Sequence, residues 1–238
     1  MKSLSPQIGF DRFIQLEWAR VALRVRAGMA SIEELTELLD ASHSGPAAKK
    51  KTRTVLNRLW LEPLPELVSF ADRGVRIYRD APESSVSALT WGMALACYPF
   101  FGRVAEIVGR LTALQGECTS AEVHRRMAEV YGEREGTRRM TNMVLQSQAD
   151  WGAIDRPNKG KQIVRKSPID LEGSPVVSWL VEACLRHAGR ALSVATIEAN
   201  PLLFPFRLGG SLSYILSGCE TLDIRVDSAG NQVVAISG

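Results

Sequence analysis

The sequence predicts a mainly α-helical protein that carries winged helix-turn-helix modules with short β-hairpin wings. Apolar residues recur at helical spacing behind capping residues along most of the 238-residue chain. Between Thr119 and Lys166 a capped helix, a charged turn, a second helix and a basic hairpin follow in winged helix-turn-helix order. From Pro175 to Ile236 a similar order returns with less positive charge. The expected organisation is an N-terminal helical domain at 1–82, a central winged-helix domain at 83–168 and a C-terminal winged-helix-like domain at 169–238.

The first helix is expected over Phe10–Arg26, where Phe13, Leu16, Ala19, Val21 and Leu23 mix with Arg20, Arg24 and Arg26, and Gly28 ends it. Ser31 and Glu34 form a capping-box pair ahead of the Ile32, Leu35, Leu38 and Leu39 stripe, which predicts a helix over 31–41. After the break at 43–46, a helix over 47–61 opens on Lys49, Lys50, Lys51 and Arg53 and closes on Val55, Leu56, Leu59 and Trp60. Cations at a helix start oppose the helix dipole, so the cluster suggests an anionic partner, DNA or RNA, with a lysine-rich helix start on a solvated face as the equal alternative. Helix, break and basic helix make it a candidate second helix-turn-helix.

Pro63 and Pro65 precede a helix over 66–79. Residues 84–102 contain no charge but include Trp91, Met93, Leu95, Tyr98, Phe100 and Phe101. Three serines open this segment and Pro99 and Gly102 break it, so it reads as a buried helix near 87–98 rather than a membrane span. A helix over 103–114 leads into the central module.

In that module Thr119 and Glu122 occupy capping-box positions, and Gly132 is the expected stop. The second helix, over 137–149, directs Met140, Val144 and Leu145 or Met143 to a core and leaves Arg138, Arg139, Asn142 and Gln146 on another face. Arginine offers a bidentate fork to guanine or a phosphate contact, and Asn or Gln can pair with adenine in the major groove. A short strand over 151–154, a turn over 155–161 and a strand over 162–165 form the wing. Arg156, Lys159, Lys161, Arg165 and Lys166 are the cations expected to follow the phosphate backbone or enter the minor groove. The alternative is a solvated hairpin or a winged helix that binds protein.

The C-terminal part is expected to fold as an apolar helix over 175–187, a helix capped by Ser193, a helix over 211–217 and a hairpin of 222–227 with 232–236. Its net acidity and the apolar stretch Leu202–Phe206 argue for protein contacts or dimerisation through this domain rather than phosphate contacts.

Net charge is only +3, so its distribution carries the information. Lys plus Arg against Asp plus Glu runs 5 to 6 over 1–44, 10 to 7 over 45–118, 10 to 6 over 119–166 and 4 to 7 over 167–238. The positive excess is therefore central. Cys97, Cys118, Cys184 and Cys219 are scattered, as are His43, His124 and His187, so no metal site and no cofactor is expected. Residues 1–28 carry charges throughout and read against a signal peptide, making a cytoplasmic, reduced protein with no membrane partner the expectation. No phosphate-binding glycine loop, zinc-protease HExxH or nucleophile elbow is present, and Asp11, Glu17, Glu33 and Glu34 form no nuclease cluster, so no enzyme is expected.

Trp91-Gly92-Met93-Ala94 and Tyr98-Pro99-Phe100-Phe101, ahead of a winged helix ending in Asp150-Trp151-Gly152, resemble small helical proteins encoded with bacterial phage-defence systems, nearest the BrxA family of BREX systems. The resemblance implies a mostly helical DNA-binding accessory protein without catalytic residues of its own. The function expected from the sequence is thus non-catalytic binding of double-stranded DNA through the central winged helix. A protein-interaction adaptor or transcriptional regulator, assembled through its winged helices, is the alternative.

Overall fold

The computed structural model describes residues 9–43, 45–171 and 173–237 and is mainly helical, with short strands. Ser44, within the expected break, and residues 1–8 of the charged N-terminal stretch lie outside the described residues. The first helix, α1, spans Leu16–Arg26 rather than starting at Phe10. The residues ahead of it are committed to tertiary contacts: Ile14 N–H donates to Ser147 Oγ at 2.9 Å, and Ile14 carbonyl accepts from Trp151 Nε1 at 2.9 Å. Buried Phe10 and Ile14 thus anchor an extended segment whose backbone partners lie outside any local helix.

Ser31 caps α2, Ile32–Ser42, by accepting from Glu34 N–H. Helix α3, Pro46–Leu56, continues into a π-helical turn at Asn57–Leu61 that buries Leu59 and Trp60. A 3-10 turn at Pro65–Leu67 then leads into α4, Val68–Asp80. Helices α5, Pro82–Cys97, and α6, Pro99–Leu111, both begin with proline at the first turn, where its missing N–H costs nothing. The expected buried helix therefore starts earlier than residue 87.

Helix α5 is the centre of the fold and packs against α1, α4, α6 and the C-terminal helix α9, Ser174–Ala188. Among its side chains Val86, Leu89, Trp91, Met93 and Ala94 are buried. Trp91 Nε1 donates to Leu202 carbonyl at 3.0 Å, and its ring meets Phe101, Phe204 and Phe206 edge-on at 5.0–6.0 Å. Gly92 admits the Trp179 ring so closely that a β-carbon there would lie 2.4 Å from it. Behind that ring, Phe70 stacks on Trp179 with centroids 4.1 Å apart. Glu182 is 1% exposed yet fully paired, with Arg73 at 2.5 and 2.7 Å, Arg186 at 2.8 Å and the Thr221 hydroxyl at 3.0 Å. No helix among the described residues is long and apolar enough to cross a membrane.

After α6 come β1, Glu117–Thr119; α7, Ser120–Tyr131; α8, Glu135–Asp150; β2, Ile154–Asp155; and β3, Gln162–Arg165. The sheet order is β1-β3-β2, antiparallel throughout, with Cys118 opposite Ile163 and Asp155 opposite Val164. The first wing strand is shorter than expected because Trp151 and Gly152 cap α8 instead, Gly152 at φ 83°. Strand β1 was not foreseen in the sequence. In the C-terminal part, α9 is followed by β5, Leu192–Ser193; α10, Val194–Glu198; α11, Leu212–Ser217; and the hairpin β7, Leu222–Val226, with β8, Gln232–Ile236. Its sheet runs β5-β8-β7, the same topology as the central one. Two-residue strands β4, Ile169–Asp170, and β6, Phe206–Arg207, pair in parallel between the modules.

One expectation fails here. Leu202, Leu203, Phe204 and Phe206 are buried, packed on α5 and α6, and Gly109 lets the Pro201 carbonyl approach α6. The apolar stretch therefore fills this chain's own core and offers no free protein-binding surface. The exposed apolar side chains of the C-terminal part are instead Tyr214, Val226 and Ile236.

The packing makes opposite predictions for two helical glycines. Gly92→Ala overpacks the Trp179 contact and should destabilise the fold by about 1–3 kcal/mol. Gly136→Ala would place its β-carbon 3.6 Å from Met140 and should be neutral or stabilising by up to about 1 kcal/mol. Thermal melts of both variants check the contrast in sign.

Candidate nucleic-acid interface

The central module gathers its cations by holding the wing against two helix starts. Thr119 accepts from Glu122 N–H at 3.2 Å while Glu122 accepts from Thr119 N–H at 2.8 Å, which completes the capping box of α7. Next to it, Ser120 N–H donates to Lys161 carbonyl at 2.9 Å, and Ser120 hydroxyl donates to Gly160 carbonyl. The wing turn is thereby fastened to the start of α7. Its tip has positive φ at three successive residues, Asn158 (54°), Lys159 (57°) and Gly160 (79°). Asn tolerates this conformation and Gly prefers it, whereas Lys159 carries a cost of roughly 1 kcal/mol. The contacts of Ser120 hold that shape, and both lysine side chains at the tip remain exposed.

Arg156 ties the wing to α8. Its Nη2 donates to Asn142 Oδ1 at 2.7 Å and to Gly160 carbonyl at 3.3 Å. Burial holds the guanidinium below the usual arginine range. It is half-buried between the wing and α8, not at the wing tip where the sequence placed it, because its partners Asn142 and Gly160 face inward.

These contacts leave an open cleft bounded by the start of α7, the first two turns of α8 and the wing. Arg138, Arg139, Asn142, Arg156, Lys159 and Lys161 all line it. The side chains of Arg138, Arg139, Lys159 and Lys161 make no ion pair or hydrogen bond within the described residues. The acid lining the cleft is Glu135, in the first turn of α8. Such a surplus of unpaired cations in a concave wall raises the local positive potential well above that of the same charges on a flat surface.

His124, on α7, also lines the cleft. Its Nδ1 is buried without a partner among the described residues, and burial, then Arg138 and Arg156, hold its pKa below the ordinary histidine value. Sequence reasoning weighed His124 only as a scattered metal ligand. A usable signal was present, since His124 is one turn beyond Ser120 and beside the Val123–Met127 core stripe, which aims it at the seam between the helices.

Two expected residues stand apart from this group. Gln146 sits one turn past Asn142 on α8, beyond the cleft. Arg165 donates to Phe204 carbonyl at 2.7 Å and lies over the Phe204 ring at 5.3 Å. On β3, Arg165 shares a face with buried Ile163, so the strand period turns it toward the C-terminal part instead of the cleft. Lys166 sits 3.8 Å from Asp155.

The N-terminal cluster is only half free. Lys49 pairs with Asp40, and Arg53 Nε donates to Asn57 Oδ1 at 2.8 Å, whereas Lys50 and Lys51 are exposed and form no ion pair within the described residues. Comparison of the chain with family models, curated proteins and solved structures gives no match.

Arg156→Ala removes the side-chain bridge between the turn and Asn142. Amide exchange over 155–162 should then accelerate, while global stability changes by no more than about 1 kcal/mol. A comparable loss of protection across α5 would contradict this local role.

Proposed function

We propose that this chain is a non-catalytic, double-stranded DNA-binding protein whose central module is a winged helix. The order helix, strand, helix, helix, strand, wing, strand, with β1-β3-β2 pairing, matches that architecture, in which the second helix of the pair enters the major groove. Helix α8 would take that role, with Arg138 and Arg139 reaching base edges or flanking phosphates and Lys159 and Lys161 following the backbone. The observation that carries the reading is the cleft's four cations without an ion pair among the described residues, which outnumber Glu135, the acid that lines it.

Asn142 enters this reading with its carbonyl oxygen already engaged by Arg156, so its amide nitrogen remains the group to face a base. Lys50 and Lys51 on α3 form a second, smaller site for backbone phosphate. The resemblance to the BrxA family suggests an accessory role in bacterial phage defence as the setting.

A second reading, protein assembly through the C-terminal module, draws support from Tyr214 on α11, 80% exposed, and Val226 at the end of β7, 68% exposed. The two readings assign different surfaces and are compatible in one molecule.

Mobility-shift or anisotropy titrations test the DNA reading. Arg138→Ala with Arg139→Ala should weaken duplex binding by roughly 1–3 kcal/mol per lost base contact. Lys159→Ala with Lys161→Ala should weaken all sequences about equally and flatten the salt dependence by about one unit of log–log slope per lost phosphate contact. Unchanged affinity in the arginine pair would remove α8 from the interface. A lysine effect confined to one sequence would contradict the backbone role.

A further inference from the structure

We propose that the cleft is a phosphodiester-binding pocket whose occupancy is coupled to proton uptake by His124, so that duplex binding tightens in mildly acidic solution. This rests on the DNA-binding reading and adds to it a specific ligand group and a regulatory device.

The geometry supplies both halves of the coupling. His124 is half-buried in the wall where α7 meets α8 and the wing, and its Nδ1 is covered but unpartnered. Facing it from α8 are Arg138, Arg139 and Glu135, and from the wing Arg156, Lys159 and Lys161. The turn before α8 adds Glu133 and Arg134, and its own helix adds Arg125 and Glu129. Glu129 is occupied by Arg125 at 2.8 Å and Arg126 at 3.4 Å, and Arg134 Nη2 donates to Tyr131 carbonyl at 2.9 Å. Arg138 and Arg156 are the charges that act on the imidazole, and both disfavour a third cation beside them.

With no anion beside it His124 is therefore neutral at neutral pH, and its Nδ1 is covered without a partner among the described residues. A phosphate oxygen anion entering between Arg138, Lys161 and Arg156 lowers the positive potential at the ring. It partly offsets the two arginines, offers an acceptor to an imidazolium N–H and so favours the protonated ring. The proton comes from solvent. By linkage, a ligand that raises the affinity of a group for protons is itself bound more tightly where protons are abundant. The other two histidines are held elsewhere: His43 packs on the Trp18 ring at 5.0 Å, and His187 lies against Leu95 carbonyl over Gly102.

The test is the Kd for a fluorescent duplex oligonucleotide at constant ionic strength across pH 5.5–7.5, for the full chain and for His124→Gln. The wild-type protein should bind several-fold more tightly at the acid end, within the limit of about tenfold per pH unit that one linked proton allows. His124→Gln should lose that additional dependence. In parallel, the His124 ring resonance in the wild-type protein should titrate at higher pH with duplex bound than without. That second measurement needs no variant and stands if His124→Gln fails to fold. Binding with equal pH dependence in both proteins, or an unmoved His124 titration, overturns the coupling and leaves the DNA reading intact. Absence of duplex binding at every pH overturns both.

Discussion

Everything in this molecule is arranged around a helix that has no solvent face. Helix α5 carries no charge beyond its first turn, and from Val86 to Leu95 nearly every side chain is buried. A helix that is apolar all round must be surrounded, and here the surround comes from α1 and α4 on one side, α6 on another and α9 on a third. Trp91 joins the layers through a hydrogen bond to Leu202, 111 residues distant in sequence, and Gly92 sets how near α9 approaches. Losing a buried Trp hydrogen bond leaves an unpaired donor, so this contact costs more to break than its net contribution to folding would suggest. The sequence boundary drawn at residue 83 therefore runs along the central element of a shared core.

That core reaches the candidate site through the far end of α8. Leu16 N–H donates to Asp150 Oδ2 at 2.5 Å, Ile14 N–H to Ser147 Oγ, and Trp151 packs among Phe10, Trp91 and Phe101. The last turn of α8 is thus held by the N-terminal segment and α5 together. Its first turns, with Arg138 and Arg139, project at the opposite end, where Thr119, Ser120 and Arg156 position the wing. A helix held at its last turn by packing and at Asn142 by a hydrogen bond to the wing presents its backbone with little freedom to lose on binding.

Local signals made much of this legible in the sequence. The Thr119–Glu122 and Ser31–Glu34 caps, the strand 162–165 and the C-terminal hairpin follow from residue patterns that act over a few positions. What the sequence could not convey depends on long-range partners. Residues 10–15 look helical until Trp151 and Ser147 take their backbone groups. Leu202–Phe206 looks like an exposed apolar stretch until Trp91 covers it. Six of the nine cations and amides assigned in the central module line one cleft, because helix and turn periodicities place them there. Arg165 departs because a strand alternates faces, and its buried neighbour Ile163 fixes which face is inward.

The two modules that share a sheet topology differ in how their charges are spent, and this separates their surfaces more sharply than net charge does. In the C-terminal hairpin, Asp227 accepts from Ala229 and Asn231 backbone N–H at 2.9 and 2.8 Å, and these bonds hold its carboxyl below the ordinary range. Arg225 sits 3.3 Å from Asp223, and Arg207 is 2.5 Å from Asp170. Turn geometry there is set by a carboxylate folded back on its own backbone, an Asx turn. In the central wing the turn is set by Ser120 on α7 and by Arg156, and the left-handed Asn158–Gly160 backbone leaves the Lys159 and Lys161 side chains no part in forming it. Lys159 and Lys161 are consequently free of structural duty. Because the wing gets its shape from the helix start and from Arg156 and not from its two lysines, the lysine charges remain available to an anionic partner.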